Sequence, residues 1–317
     1  MTPVICGVDV SSTSLEAFVG PAGPAQSFAN TVEGIAALAA FCQEHKVELV
    51  AMEATGGYEK QALVLLWSQG LAVTLLNARA VRDFAKGMGL LEKTDRIDAQ
   101  ISARFAEVKG SRPSVPRTAP QEHLKALVTH LRQLTQMHVS QRNQGWLVTD
   151  KAVQRSMAKV LKVLERQKRE VATKIAAVLA SDPLWKQLDQ TFRSIKGVAD
   201  RTVAAVMADL PEIGTLSNKA AAKLAGLAPL AQDSGKKHGK RPVRGGRRQL
   251  RAVLFVVAGV VARHNPDFAA FQQRLGAAGK PKRVIRVALA HKLLVRLNAK
   301  ARDVRMKFIT ADAPQVA

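Results

Sequence analysis

Residues 109–121, KGSRPSVPRTAPQ, hold three prolines, a glycine and two serines, and they separate two stretches of chain that follow different hydrophobic periods. No one fold pattern runs through such a punctuated sequence, so the chain must build at least two structural units. Before this segment, short apolar runs alternate with amphipathic ones. VICGVD (residues 4–9) reads as a buried strand, and LEAFVG follows a Ser/Thr turn as the second arm of a hairpin. TVEGIAALAAFCQEH has helical spacing with Asn30 or Thr31 as its cap, VELVAME is a strand, YEKQALVLLWSQ a helix, LAVTLL a strand and ARAVRDFAKGM a helix. Thr94 caps a further helix from about Asp95 to Val108. Alternation of this kind predicts an α/β domain over residues 1–110.

Past the break the period becomes helical. Leu124, Leu127, Leu131 and Leu134 recur at spacings of three and four, as do Val153, Met157, Val160, Leu164, Val171, Ile175 and Val178 with some slippage. They predict two long helices joined near NQGW, so residues 111–190 are a linker and helical hairpin. An intramolecular hairpin and a coiled-coil arm for dimerisation fit this pattern equally well. SIKGVADRTVAAVMADLPEIG, residues 194–214, has the cadence of a helix-hairpin-helix, with Ala199 and Asp200 where the usual second glycine would stand. Ser217 caps a short helix, and a mainly α domain over residues 191–310 ends in a tail at 311–317.

Charge divides at the same place. Residues 1–110 hold nine Lys or Arg against twelve Asp or Glu, leaving 39 against 13 for the remainder of a chain whose net charge is +23. A field of that sign favours a polyanion, because each phosphate neutralised releases condensed counterions. Nucleic acid is therefore the leading partner. A membrane surface fits less well, since no Trp- or Phe-rich face opposes the basic residues. The longest apolar run, LFVVAGVVA at 254–262, falls far short of the ~20 residues that span a bilayer, and no signal-peptide pattern opens the chain. Cys6 and Cys42 lack the spacing of a disulfide framework or zinc site. The expectation is a soluble cytoplasmic protein with two buried thiols.

Four carboxylates draw attention within the α/β domain. Asp9 ends the first strand, Glu53 ends a later one, and Asp95 and Asp98 stand three apart on a helix, where side chains share a face. Taken singly, each also fits a turn residue, a cap or a solvated helix face. Their order, strand-Asp, strand-Glu, helix-Asp-Asp, matches the RNase H-like nuclease arrangement of RuvC-type junction resolvases. Hard oxygen donors at one sheet edge suit magnesium, which would also neutralise the repulsion between two close aspartates.

Two nucleophiles compete. Ser234 opens a segment that, from Gln232 to Arg251, carries eight Lys or Arg, one acid and four glycines. Its residue type and place read, on their own, as a loop serine, although Asp233 and His238 are neighbours in sequence. The cations Lys236, Lys237, Lys240, Arg241, Arg244, Arg247, Arg248 and Arg251 form a candidate nucleic-acid-binding set. Tyr58, the single tyrosine, follows EATGG near Glu53, but no Arg-His-Arg constellation accompanies it.

The segments GVDVSS, MEATGGYE, KTDRIDAQ, GLAPLAQDSG, GRRQLRAVLF and GKPKRVIRVALAHKLL, in that order along nearly the whole chain, resemble the transposases of insertion-sequence family 110, relatives of the pilin-gene DNA invertases. The resemblance implies an RNase H-like (RuvC-like) DEDD domain, a long helical linker and a C-terminal transposase domain. It implies magnesium on Asp9, Glu53, Asp95 and Asp98, and Ser234 as the nucleophile that forms a covalent phosphoserine with DNA. It further implies a homo-oligomer, dimer or tetramer, whose nucleophile and metal site come from different protomers, acting on the double-stranded DNA of element ends and target under a structured guide RNA. The alternatives are a RuvC-like junction endonuclease that uses water, a DNA invertase working by the same chemistry, and a non-catalytic nucleic-acid scaffold.

Overall fold

The computed structural model describes residues 3–92, 94–235 and 239–312. They form two compact units, residues 1–117 and 118–317. No helix among the described residues is long and apolar enough to cross a membrane.

The first unit is a five-stranded sheet between two helical layers. β1 (Ile5–Val10), β2 (Ser14–Val19) and β3 (Ala25–Ala29) form an antiparallel meander. β4 (Leu49–Glu53) and β5 (Val73–Leu76) continue the sheet parallel to β1, giving the order β3-β2-β1-β4-β5. Alternation along the strands supplies two apolar faces. Cys6, Val8, Val50 and Met52 belong to one core with Ile35 and Leu38 of α1 (Val32–Glu44) and Ala62 and Leu66 of α2 (Glu59–Ser68). Ile5, Leu49 and Ala51 belong to another with Val81 and Ala85 of α3 (Ala78–Gly87) and Ala99, Ala103 and Ala106 of α4 (Asp95–Lys109).

Residue choice sets how closely α4 lies. A Cβ on Gly7, in the middle of β1, would stand 1.9 Å from the Ala99 carbonyl oxygen and 2.6 Å from the Ala103 nitrogen. Helix backbone therefore rests directly on strand backbone, which only glycine and a run of alanines allow. Thr31, of the two candidates, caps α1, and Thr94 caps α4 by accepting the Ile97 N–H. Cys6 and Cys42 are free and buried, and their mutual hydrogen bond holds the Cys6 thiol well above its ordinary pKa.

Residues 109–117 of the proline-rich segment belong to the first unit. Ser114 donates its N–H to Val73 O (2.7 Å) and accepts the Leu75 N–H on its hydroxyl (3.0 Å), fastening the segment to β5. The first compact unit accordingly extends to Arg117.

In the second unit, a capping box between Thr118 and Gln121 starts α5 (Ala119–Gly145), and Asp150 caps α6 (Lys151–Ser181). The two helices pair within the chain. Leu124, Val128, Leu131 and Leu134 of α5 and Leu164, Val171, Ile175 and Leu179 of α6 are buried in the same core as the helices that follow. The outer half of the hairpin behaves differently from its periodicity. Val153 and Val160 stay 47% and 44% exposed and Met157 is half-buried, because two helices alone offer no third surface to cover them.

The remaining helices are α7 (Pro183–Arg193), α8 (Asp200–Asp209), α9 (Asn218–Leu224), α10 (Arg248–His264), α11 (Pro266–Ala277) and α12 (Lys282–Asp312). α12 is the spine, burying Ile285, Leu289, Leu293, Leu297 and Ala301 at four-residue intervals. Asn298 on its buried face accepts the Gly214 N–H (2.9 Å) and donates to Leu216 O and to Asn218 Oδ1 (3.0 Å each). Replacing it by alanine strands a buried N–H and opens a small void. Denaturant unfolding of Asn298→Ala should show a loss of about 2–4 kcal/mol, and a change below about 0.5 kcal/mol would deny Asn298 this role.

The turn between α7 and α8, read from sequence as part of a helix-hairpin-helix, packs on α10. Gly197, with φ of 96°, presses against α10, where a Cβ would meet Val261 Cα at 2.9 Å. Asp200 occupies the first turn of α8 and pairs with Arg193.

Candidate functional site

The first unit gathers acids at one end of its sheet. Asp9 and Glu53 directly follow Val8 and Met52, which are register partners on the parallel strands β1 and β4. Alternation puts both on the sheet face that α4 covers, because Ile5 and Ala51 on that same face pack against α4 residues. α4 runs antiparallel to β1: Ala99 lies over Gly7, whereas Glu107 and Val108 line a cavity with Val4 and Ile5. Its first turn, bearing Asp95 and Asp98, therefore overhangs the end of the sheet where Asp9 and Glu53 stand.

Glu53 and Asp98 line one cavity of about 240 Å³, together with Val81, Arg82, Ala85 and Ile101. Asp9 is half-buried on the neighbouring strand and Asp95 is exposed. The structure thus brings Glu53 and Asp98 to one cavity, Asp9 beside them in register and Asp95 onto the same helix turn as Asp98. Among the described residues, no group of three or more His, Cys, Asp or Glu is drawn together tightly enough to hold a metal ion.

Two residues at this end escaped the sequence reading. Glu16 is the antiparallel register partner of Asp9, so it shares the face, and its carboxylate accepts the Ser27 hydroxyl at 2.5 Å. The hairpin register alone would have revealed it. Arg82 brings a cation to the Glu53–Asp98 cavity and donates to Leu91 O (3.0 Å) and Glu92 O (3.3 Å), steadying the chain that leads into α4. Nothing local marks Arg82 in the sequence.

Tyr58 stands where α2 begins, 57% exposed, and its carbonyl accepts from Asn30 at 3.3 Å. Glu59 ties the preceding turn by accepting the Thr55 and Gly57 N–H groups (3.1 and 2.8 Å).

In the second unit, Ser234 is exposed in a loop with a defined stem. Pro229 bridges to Val243, and Leu230 donates its N–H to Pro242 O at 3.0 Å. Asp233 closes the loop by accepting the Gly239 N–H (3.1 Å) and the Arg241 guanidinium (3.0 Å). Below the stem, Arg247 makes a two-pronged bond to Glu212 at 2.6 and 2.7 Å, and Arg251 reaches Gly245 O at 2.6 Å and Gly226 O at 3.3 Å. Gly246 permits the close crossing, since a Cβ there would meet the Gly226 nitrogen at 2.4 Å.

The eight cations named from sequence therefore divide. Arg241, Arg247 and Arg251 brace the loop, while Lys240, Arg244 and Arg248 face solvent. Lys236, Lys237 and His238 lie outside the described residues.

Similarity to known family models falls in two segments, the first of which runs past Arg117 through α5. Residues 6–147 match the DEDD-type IS110 transposase family model, and residues 189–273 match the model of the IS116/IS110/IS902 transposase family. The four acids fall inside the first match and Ser234 inside the second. The pilin gene-inverting proteins of Moraxella lacunata and Moraxella bovis are each 25% identical over 314 residues, covering 93% of this chain and 94% of theirs. A 43.6 kDa protein of insertion element IS110 from Streptomyces coelicolor is 32% identical over 151 residues, 47% of this chain and 36% of that protein.

Proposed function

The chain belongs to the IS110 family of transposases and is a DNA recombinase, and from that premise we propose that it cuts and rejoins DNA through a phosphoserine formed at Ser234, with Asp9, Glu53, Asp95 and Asp98 holding magnesium. The observation that carries this reading is the convergence of sequence-distant acids at one end of the first unit's sheet, with Glu53 and Asp98 in one cavity. The strand order supports a RuvC-like assignment for that unit, and oxygen donors of this kind suit a hard divalent cation.

In the cleavage step the Ser234 Oγ attacks phosphorus, the Oγ–P bond forms as the P–O bond to a sugar oxygen breaks, and the serine proton ends on that sugar hydroxyl. One phosphodiester replaces another, so the reverse attack by an incoming hydroxyl rejoins the strand without an energy source. Magnesium, when bound, supplies charge neutralisation at the phosphate oxygens. The exposed cations Lys240, Arg244 and Arg248 draw the backbone to the Ser234 loop, and the braces at Asp233, Arg247 and Arg251 fix the loop's shape. The basic excess beyond residue 110 suits two nucleic acids, DNA and a structured guide RNA, and the exposed apolar positions of the outer hairpin suit coiled-coil pairing between copies. On this reading residues 1–110 are the metal-binding domain, 111–190 the linker and hairpin, and 191–310 the transposase domain. Relatives named for gene inversion are compatible with it, since inversion and transposition share one strand-exchange chemistry.

The purified protein, incubated with element-end DNA, the flanking transcript and magnesium and then denatured, should carry DNA joined covalently to it. Cut DNA with no attached protein would put a water-using junction endonuclease in its place. Magnesium alone offers a second check: at 100 times its Kd it should stabilise the protein by about 2.7 kcal/mol. That rise in melting temperature should vanish in an Asp95→Ala, Asp98→Ala double variant, and an equal rise in both proteins would remove the metal from these residues.

A further inference from the structure

A cavity of about 950 Å³ in the second unit shares a wall with the Ser234 loop. Pro229, Pro242 and Val243, the stem of that loop, form one side, and Phe271 of α11 with Val287 and His291 of α12 form the other. Its size is at the upper end of the ~300–1,000 Å³ typical of small-molecule sites. The stem rung at Leu230 lies four residues before Ser234, and four extended residues reach about 14 Å at most. Whatever fills the cavity therefore sits within a few nucleotides of a strand attacked by Ser234.

The lining has two chemistries. The walls are apolar and carry two rings, Phe271 and His291, while four cations, Arg274, Arg283, Lys292 and the Asp233-bonded Arg241, also line the cavity. Arg274 and Lys292 already lie over the Phe271 ring, 5.2 and 4.6 Å from its centroid. No acid is among the described residues that line it. An apolar, ring-bearing slot flanked by cations is the arrangement that accepts an unstacked base inside and its phosphates outside. A purely apolar partner would gain nothing from four cations, and a free phosphate would gain nothing from the prolines and valines.

We infer that this cavity receives an unpaired DNA nucleotide flanking the scissile phosphate, displaced from its partner while strands exchange. The inference deepens the phosphoserine reading and rests on it for its place beside the cut. Rejoining a strand to a new partner requires the bases next to the break to leave their old pairing, and a slot that holds one keeps the broken duplex from closing again.

The test uses the full chain and a single-stranded oligonucleotide carrying 5-iodouracil, irradiated and mapped by mass spectrometry. Crosslinks are expected on Phe271 or His291. Val287→Trp, which fills the cavity, should reduce them and weaken oligonucleotide binding about tenfold or more. Arg283→Ala, at an exposed position, should weaken binding severalfold with the melting temperature unchanged, so the proposal does not hinge on one packing variant. Crosslinks that fall elsewhere and ignore both substitutions would overturn it, as would a Val287→Trp effect confined to self-association of the protein. The covalent adduct, read in parallel on element-end DNA, separates the two readings. Crosslinks in the cavity without any adduct in the wild type would remove the serine chemistry and leave a DNA site. A wild-type adduct with crosslinks outside the cavity would remove the cavity alone.

Discussion

Ser234→Ala should lose all covalent attachment to DNA and lower strand exchange by at least about 10⁴-fold, the scale on which removal of a nucleophile acts when the rest of a site survives. The exposed position of Ser234 makes the substitution structurally mild, so the protein should melt as the wild type does. Tyr58→Phe, which removes the rival hydroxyl, should keep both adduct and exchange. Asp98→Asn should weaken both while leaving the Ser234 loop untouched, since its carboxylate belongs to the other unit's cavity. An adduct that persists in Ser234→Ala and disappears in Tyr58→Phe would reverse the assignment.

The second large effect is structural. Gly7→Ala should destabilise the first unit by about 3–5 kcal/mol, more than the usual cost of overpacking. The added methyl would fall 1.9 Å from a carbonyl oxygen and 2.6 Å from an amide nitrogen of α4, and backbone atoms cannot rotate aside as a side chain would. Relief requires α4 to lift from the sheet, uncovering Ala99, Ala103 and Ala106 and carrying Asp95 and Asp98 away from Asp9 and Glu53. Activity should therefore fall even in whatever fraction remains folded. Gly276→Ala is the matched control, because a Cβ there meets nothing within 4 Å; a helical position of that kind should gain about 0.5–1 kcal/mol. Equal denaturation midpoints for Gly7→Ala and the wild type would mean that α4 is not seated where Gly7 puts it.

Much of this architecture was legible because local signals and burial agree. The strands β1, β2, β4 and β5 carry apolar runs that the sheet buries, and Thr31, Thr94 and Ser217 cap the helices their positions announced. β3 was missed for the opposite reason: at the sheet edge only Phe28 of its five residues is buried, so AQSFA shows no strand pattern. The outer hairpin misled in the other direction, since the spacing of Val153, Met157 and Val160 says which face is apolar and not whether anything covers it. At the candidate site, Asp9, Glu53, Asp95 and Asp98 were readable as strand ends and a helix turn. Glu16 and Arg82 were not, because their nearness to those acids depends on strand register and on how α3 packs, both of which arise between distant parts of the chain. Ser234 was no more than a loop residue by type; the stem that presents it depends on pairing across Pro229 and Val243.

The division after Arg117 bears on how such a chain changes over generations. Each unit closes its own apolar interior, with buried clusters drawn wholly from residues up to Ala106 or wholly from Leu124 onward. A core substitution in one half can then be compensated by neighbours in that half, with no matching change required in the other. Two separately closed interiors leave room for the divergence of relatives that match nearly the full chain at 25% identity.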